Sequence, residues 1–401
     1  MVIGIIGGGA SGMAAAIAAS ENTENQIVLL ERQARVGRKL QATGNGRCNL
    51  SNLYALEGRY HGDDPSFASC ALKTFPPEET LQWFRNLGLF TVTEPSGKVY
   101  PYSDHANSVV DVLRLQLNKD NIQLRCGCEV QKIKKQEQGF CVQCGDESFM
   151  FDKVIIACGG LAGTKLGGSM SGYQLLRSLG HHCTRLRPAL VQIKSDWSGC
   201  VSLKGVRTNC KAEILHNGKI YAQSAGELQF TDYGLSGPVI FEISRDVCQQ
   251  PGVWCCKLDF LPDVKEEELH KELQRRGDAG ISAEDLLTGI LHNRLGRVLC
   301  GAVGIRGNQS DLSDYDLRNV CRAVKGFEVT LTETMGMDSA QVTAGGIVTR
   351  EFEEKTMESK LVPGLYACGE VLDIDGDCGG YNLQWAWSSG LLAGKSAGGI
   401  P

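Results

Sequence analysis

The stretch that most restricts the fold is the first one. Residues 2–20, VIGIIGGGASGMAAAIAAS, run as a short apolar strand into Gly7-x-Gly9-x-x-Gly12 and on into an alanine-rich helix. Each glycine has its own reason. The first permits a tight turn, the second lets main chain approach a pyrophosphate, and the third, with Ala15 and Ala16, lets helix and strand pack closely. The helix N-terminus, at Ala10 and Ser11, would then face an anion. A second strand, QIVLLE, ends at Glu31 about twenty residues on, where a carboxylate holds the ribose hydroxyls of a dinucleotide. A glycine motif alone is weak, since such turns also occur without a ligand. Strand, turn, helix and carboxylate in this order predict a dinucleotide-binding, Rossmann-like unit.

Nicotinamide and flavin cofactors share this fingerprint. The later chain separates them. KVIIACGG, 153–160, reads as a buried strand ending in small residues, and GLYACGEVLDIDGDCGGYNLQWAWSSGLLAG, 364–394, repeats the pattern and flows into a helix. A sheet that starts at residue 2 and is completed near residue 366 encloses inserted segments. Many FAD-binding oxidoreductases are arranged in this way, whereas a compact nicotinamide-binding domain finishes much earlier. Within the insert, AEILHNGKIYAQ places Asn217-Gly218 between alternating apolar residues, the signal of a two-residue hairpin turn. Residues 190–260 therefore read as β-rich. Further on, Ser282 with Asp285, and Ser313 with Asp316, each have the spacing of a helix N-cap and its capping box. The acidic run Glu266 to Glu268 reads as a solvated helix face.

With 401 residues the chain exceeds one typical core, so two or three domains are expected. A net charge of -5 gives no global attraction to phosphate polymers or anionic membranes, so neither nucleic acid nor membrane is an expected partner. No basic leader and no apolar run near ~20 residues are visible, which points to the cytoplasm. The seventeen cysteines are odd in number and scattered, so reduced thiols are expected. Cys126, Cys128, Cys141 and Cys144 form the one metal-like group, but LRCGCEV and GFCVQCGDE read as strands in which Cys is a small apolar filler. No metal is expected.

GGGASGMAAAIAA, GRKLQATGNGRCNLSN, GELQFTDYGLSGP, VTAGGI and TMESKLVPGLYACGEVLDIDGDCGGYNLQWAWSSG occur in this order. On these blocks the chain resembles, nearly end to end, the aminoacetone-oxidase-like FAD-dependent oxidoreductases, a family that includes bile-acid dehydro-intermediate reductases. The resemblance implies an α/β protein. A discontinuous Rossmann-like FAD-binding domain would span 1–189 and 343–401, a β-barrel-like insert 190–262 and 326–342, and a small nested helical domain 263–325.

It also implies FAD, with the loop after Glu31 following the cofactor from pyrophosphate to isoalloxazine. Arg38, Lys39 and Arg47 would meet an anion, Gly44 and Gly46 would let main chain lie against ribityl and ring, and Asn49 would offer its amide to the flavin edge. Arg32 is implied near the adenosine, Val130 against adenine through its backbone, and Gly159 and Gly160 along the cofactor. Gly369 and Glu370 belong to the ribityl or phosphate region, although many FAD enzymes carry Asp in the second place. A helix starting near Asn382 and Leu383 would aim its N–H groups at flavin N1 and C2=O.

No residue outside the cofactor announces itself as acid, base or nucleophile. Tyr381 and Tyr233 are candidate proton donors by motif position, beside the plainer reading of packing. Cys48 has no partner thiol at redox spacing and reads as a small packing residue. His105 reads as capping or surface, His181 and His182 show no metal spacing, and Leu235 to Pro238 reads as a structural turn between strands. Asp232 stands where some relatives carry histidine, which leaves the substrate open. The expected activity is that of an FAD-dependent oxidoreductase fed by NADH or NADPH. Its small organic substrate, a steroid or bile-acid enone among the candidates, would lie between flavin and insert and receive hydride through flavin N5. The alternatives are an aminoacetone-type amine oxidase making peroxide, an FAD-dependent tRNA-modifying enzyme, and a flavin-binding protein without turnover.

Overall fold

The computed structural model describes residues 1–56, 58–307 and 311–400. These form two compact units, Met1–Arg187 with Gln341–Pro401, and Pro188–Ala340.

The first unit is built on a five-stranded sheet ordered Leu365–Ala367, Lys153–Ile156, Val2–Ile6, Gln26–Glu31, Ile122–Cys126. Every neighbouring pair is parallel. The N-terminal strand is central, so the chain steps outward on one side and later returns to the other. That reversal opens a crevice at the carboxyl ends of the strands, where ligands bind in such sheets. Parallel strands are covered on both faces, which is why Ile3, Ile5, Leu29, Val154, Ile155 and Ile156 are buried without alternation. The helix Ala10–Ala19 is buried over nearly its whole surface because the last helix, Tyr381–Gly398, lies against it. Small residues allow that approach. A Cβ on Gly390 would run into the Ser11 carbonyl, and one on Gly394 into that of Ala15.

Reduced thiols do not hold throughout. Cys128 and Cys144 form a disulfide, while Cys126 and Cys141 are free. Cys128 lies just ahead of the strand Val130–Lys135, and Val130 pairs with Cys144 in antiparallel register, which brings the two Cα atoms to 5.8 Å. Residue periodicity identifies the strands but not which residues face each other.

The second unit contains a closed six-stranded barrel made of Ile193–Ser195, Gly234–Ser236, Lys219–Phe230, Arg207–His216, Trp254–Asp259 and Phe327–Thr334. Its longest hairpin turns at Asn217 and Gly218, whose φ values of 50° and 77° are those of a primed turn. Leu235 to Pro238 is not a turn between strands. It ends one strand and opens the helix Pro238–Ile243, with the bend at Gly237. Glu266–Asp278 is a helix whose first turn carries the exposed acidic run, and Ser313 caps Asp314–Gly326 with the full box to Asp316. The matching device at Ser282 starts no helix. Residues 283–287 form turns that bury Ala283, Leu286 and Leu287, Gly289 takes a left-handed φ of 79°, and the next helix is Asn293–Ala302, capped by His292. Among the described residues, no helix is long and apolar enough to cross a membrane.

Candidate cofactor site

The three fingerprint glycines have distinct surroundings. A Cβ on Gly7 would meet the Ala157 carbonyl and one on Gly12 the Gly7 carbonyl, so both positions are filled by neighbouring backbone. At Gly9, the N-cap of Ala10–Ala19, no atom lies within 4 Å of the place a Cβ would take. The middle glycine therefore opens onto space at a helix N-terminus whose first N–H groups, from Ala10, Ser11 and Gly12, have no acceptor within the helix. Glu31 stands beside this turn. Its Oε2 accepts from the Gly8 N–H at 2.6 Å and its Oε1 from the Gln33 N–H at 2.7 Å. Each carboxylate oxygen keeps acceptor capacity for a ribose hydroxyl. Gly127 and Cys128 donate to the carbonyls of Gln33 and Glu31, which brings the buried Val130 segment alongside.

The basic side chains are more occupied than their sequence positions suggest. Arg38 donates to Gln33 at 2.8 Å, and Lys39 binds Glu370 at 2.8 Å. Arg47 donates to Asp104 at 2.5 Å, lies 3.5 Å from Glu94 and covers the Tyr100 ring at 4.1 Å. Arg32 donates to the Gly167 carbonyl at 2.7 Å. Each of the four already has a protein acceptor. Glu370 is a clamp rather than a surface carboxylate, since it also accepts from the Thr343 N–H at 2.9 Å. Gly160 packs beneath it, because a Cβ there would collide with both Glu370 and Thr343. Gly159 and Gly46, by contrast, face open space, and Gly369 abuts Ser11.

Residues 43–49 adopt a run of left-handed conformations, with φ of 57° at Gly44, 56° at Asn45, 87° at Gly46 and 62° at Cys48. The loop is fastened to the last helix, as Trp387 donates to the Leu50 carbonyl at 2.9 Å, Ser51 to Gln384 at 2.6 Å, and Asn52 to the Gly379 carbonyl at 2.9 Å. That helix starts at Tyr381 with Gly380 as a cap that has no side chain, leaving the N–H groups of Tyr381, Asn382 and Leu383 free of helical acceptors. The Asn382 side chain grips the backbone of Gly376 in both directions, at 2.8 and 2.7 Å. Asn49 Oδ1 is buried without a partner among the described residues. Open positions at Gly9, Gly46 and Gly159 and the N-termini of two helices fit a long dinucleotide with an anionic centre.

Residues 1–396 match the family described as HI0933-like protein Rossmann domain. The chain belongs to this family. It is 41% identical over 98% of both chains to a protein named 3-dehydro-bile acid delta(4,6)-reductase from Clostridium scindens. It is 32% identical, again over 98% of both, to a ribosomal RNA dihydrouridine synthase from Escherichia coli. A solved 3-ketosteroid delta1-dehydrogenase from Sterolibacterium denitrificans shares the fold at a TM-score of 0.52 and 12% identity, covering 99% of each chain. This HI0933-like chain is an FAD-dependent oxidoreductase of Rossmann type. The acidic net charge does not remove nucleic acid from the family's range, as the ribosomal RNA relatives show. Net charge averages over a whole surface, whereas a binding face is local.

The remaining candidates each have their own surroundings. Cys48 is fully buried, and burial pushes its thiol up to about 12, so it is a thiol rather than a thiolate at neutral pH. Tyr381 stands at the start of the last helix, where its carbonyl accepts from the Tyr60 hydroxyl at 3.0 Å. Tyr233 lies in the barrel unit, its carbonyl bonded to the Ser195 N–H. His105 caps the helix Ala106–Gln116. His181 and His182 share Glu351 at 2.9 and 2.7 Å, and Asp232 pairs with Lys204 at 2.7 Å. Sequence reading missed His61, held at 2.7 Å by Asp377 on the turn leading into the last helix. The pairing of Tyr60–His61 with Asp375–Gly376 creates this contact across 316 residues, and nothing local signals it.

Proposed function

We propose that the chain is an NADH- or NADPH-fed reductase that saturates a carbon–carbon double bond conjugated to a carbonyl, on a small apolar molecule of the bile-acid or steroid kind. What carries this reading is the 41% identity over 98% of both chains to a dehydro-bile-acid reductase. Bound FAD supplies hydride transfer through ring N5. The chain's own residues bind, orient and polarise. Gly9 leaves room for the pyrophosphate, and the N–H groups of Ala10 and Ser11 face it. Glu31 orients the adenosine ribose, with Arg32 and Val130 at that end. Gly159, Gly160 and Gly369 border the middle of the cofactor, where the Lys39–Glu370 pair fixes the backbone turns. At the ring, the N–H groups of Tyr381, Asn382 and Leu383 favour negative charge, a preorganised electrostatic contribution from main chain. The sequence carries one dinucleotide fingerprint, so a nicotinamide donor would bind without a second Rossmann unit and leave before the substrate enters, which predicts ping-pong kinetics.

The 32% identity to a ribosomal RNA dihydrouridine synthase supports a second reading, in which the double bond belongs to uridine in RNA. Anaerobic mixing decides between them. NADH or NADPH should bleach the flavin, and a 3-oxo bile acid with conjugated double bonds should restore its colour as the bond is saturated. If unmodified ribosomal RNA alone restores the colour, the second reading stands. Absence of reduction by either nicotinamide, together with rapid peroxide formation from an amine, would instead indicate an oxidase.

A further inference from the structure

Saturating a double bond conjugated to a carbonyl takes a hydride at the far carbon and a proton at the carbon beside the carbonyl. Bound FAD supplies the hydride, while the proton has to come from a side chain or from water. Tyr60 and His61 form a short strand antiparallel to Asp375–Gly376, and neighbouring strand residues point to opposite faces. Tyr60 is buried, and its hydroxyl donates to the Tyr381 carbonyl at 3.0 Å. His61 turns the other way, with 41% of its side chain exposed, and its Nε2 meets Asp377 Oδ1 at 2.7 Å. Asp377 is itself fixed. Its N–H donates to the Arg59 carbonyl at 3.0 Å, Arg59 Nη1 lies 3.5 Å from its other oxygen, and its carbonyl accepts from the Asn382 amide at 3.3 Å. Asn382 also holds Gly376, at 2.8 and 2.7 Å, so the imidazole is tied to the first turn of the last helix.

The carboxylate selects the tautomer. With Nε2–H donated to Asp377, Nδ1 is the nitrogen that takes up a proton and hands it on. Among the described residues Nδ1 has no partner. The other histidines of this unit are engaged elsewhere. His105 Nδ1 accepts from the Asn107 N–H as a helix cap, His181 meets Glu351 and Ser359 through its two nitrogens, and His182 shares that Glu351. We propose that His61 is the catalytic proton donor of the reduction. As hydride reaches the far carbon, the electron pair of the double bond takes the proton from Nδ1 onto the carbon beside the carbonyl. The Nδ1–H bond breaks with its pair left on nitrogen, the imidazolium becomes neutral imidazole, and solvent restores the proton to the exposed ring. The double bond is reduced and the cofactor oxidised, so the electrons balance. Asp377 is a positioning residue that holds the ring's orientation. The inference rests on the proposed function, which puts the flavin ring at this helix start.

Half-reactions of the holoenzyme without oxygen test the assignment. His61→Gln should slow flavin reoxidation by a 3-oxo bile acid with conjugated double bonds about 100- to 10,000-fold, the range for losing a positioned acid. Flavin reduction by NADH or NADPH should stay within about two-fold of wild type, as should reoxidation by ferricyanide, which takes electrons and no proton. These two rates, with flavin per chain, also show that the variant is folded. Asp377→Asn should slow the same step and no other. Reoxidation of His61→Gln by the enone at the wild-type rate would overturn the assignment. A wild-type enzyme that is reduced but not reoxidised by the enone would instead overturn the proposed function, and the inference with it. Should the variants fail to fold, nitrogen NMR of His61 in oxidised wild-type holoenzyme reads the contact without turnover. Adding the enone should shift the Nδ1 resonance and leave those of His105 in place, and an unmoved Nδ1 would contradict the assignment.

Discussion

Two Asn-Gly pairs in this chain adopt the same backbone for different ends. Asn217-Gly218, at φ of 50° and 77°, turns a hairpin and is closed at once by His216 opposite Lys219, with the ladder running on to Arg207 opposite Gln229. Asn45-Gly46, at 56° and 87°, closes no ladder. The left-handed run extends to Gly44 and Cys48, and side chains of the last helix hold the residues that follow it. Both stretches hold a non-glycine residue in a sparsely populated region. In the hairpin, strand pairing offsets that strain. In the loop no ladder offsets it, and on the proposed function a bound cofactor would meet the open position at Gly46.

The largest expected effect tests the ligand side of this contrast. Gly9→Val fills the open position at the helix N-terminus and should weaken FAD retention by more than about 100-fold while the chain stays folded, as read from flavin per chain and circular dichroism. Full occupancy would mean the pyrophosphate lies elsewhere. Next come paired substitutions. Gly46→Val and Gly218→Val each place a branched side chain at positive φ and should each lower stability by roughly 1–2 kcal/mol. Only Gly46→Val should also lose FAD, by about ten-fold or more. If Gly218→Val weakens FAD equally, the two regions do not differ in the way described.

A smaller effect concerns a buried polar group whose partners are all present. His181 Nδ1 meets Glu351 at 2.9 Å and its Nε2 meets Ser359 at 3.0 Å, yet burial holds its pKa below the usual imidazole value. The unfolded chain therefore takes up the proton first. Stability from this site is complete above about pH 6.5 and falls as pH drops below it, by at most about 1.4 kcal/mol per pH unit. Thermal midpoints from pH 8 to 5 should show this fall, flattened in His181→Gln and unchanged by added FAD. The smallest effect is expected at Cys48. With its thiol raised to about 12, Cys48→Ser should keep both flavin and turnover and lose only about 1 kcal/mol of stability. Lost turnover with flavin retained would make the thiol catalytic.

What was legible in the sequence is what local physics dictates. The glycine turn, the strand ending at Glu31, the Asn217-Gly218 hairpin and the Ser313 capping box each follow from residues within a few positions of one another. Ser282 shows the limit, since the same spacing is overridden where Leu286 and Leu287 are buried by turns and Gly289 breaks the helix. Within the site, the glycines and the last helix were readable. The ion pairs were not, because Lys39 meets Glu370 across 331 residues and Arg47 meets Asp104 across 57. Residues expected to bind an anion are therefore bound to one another's segments, a consequence of tertiary approach that no spacing rule contains.

The claim that the loop at 43–49 and the turn at Gly9 together complete one cofactor is tested most directly by the cofactor itself. The purified chain should be yellow, and denaturation should release FAD at about one per chain and no FMN, because on the proposed function Glu31 and the glycine turn hold an adenosine diphosphate moiety that FMN lacks. Release of FMN alone, or a folded colourless chain that takes up no FAD, would contradict it.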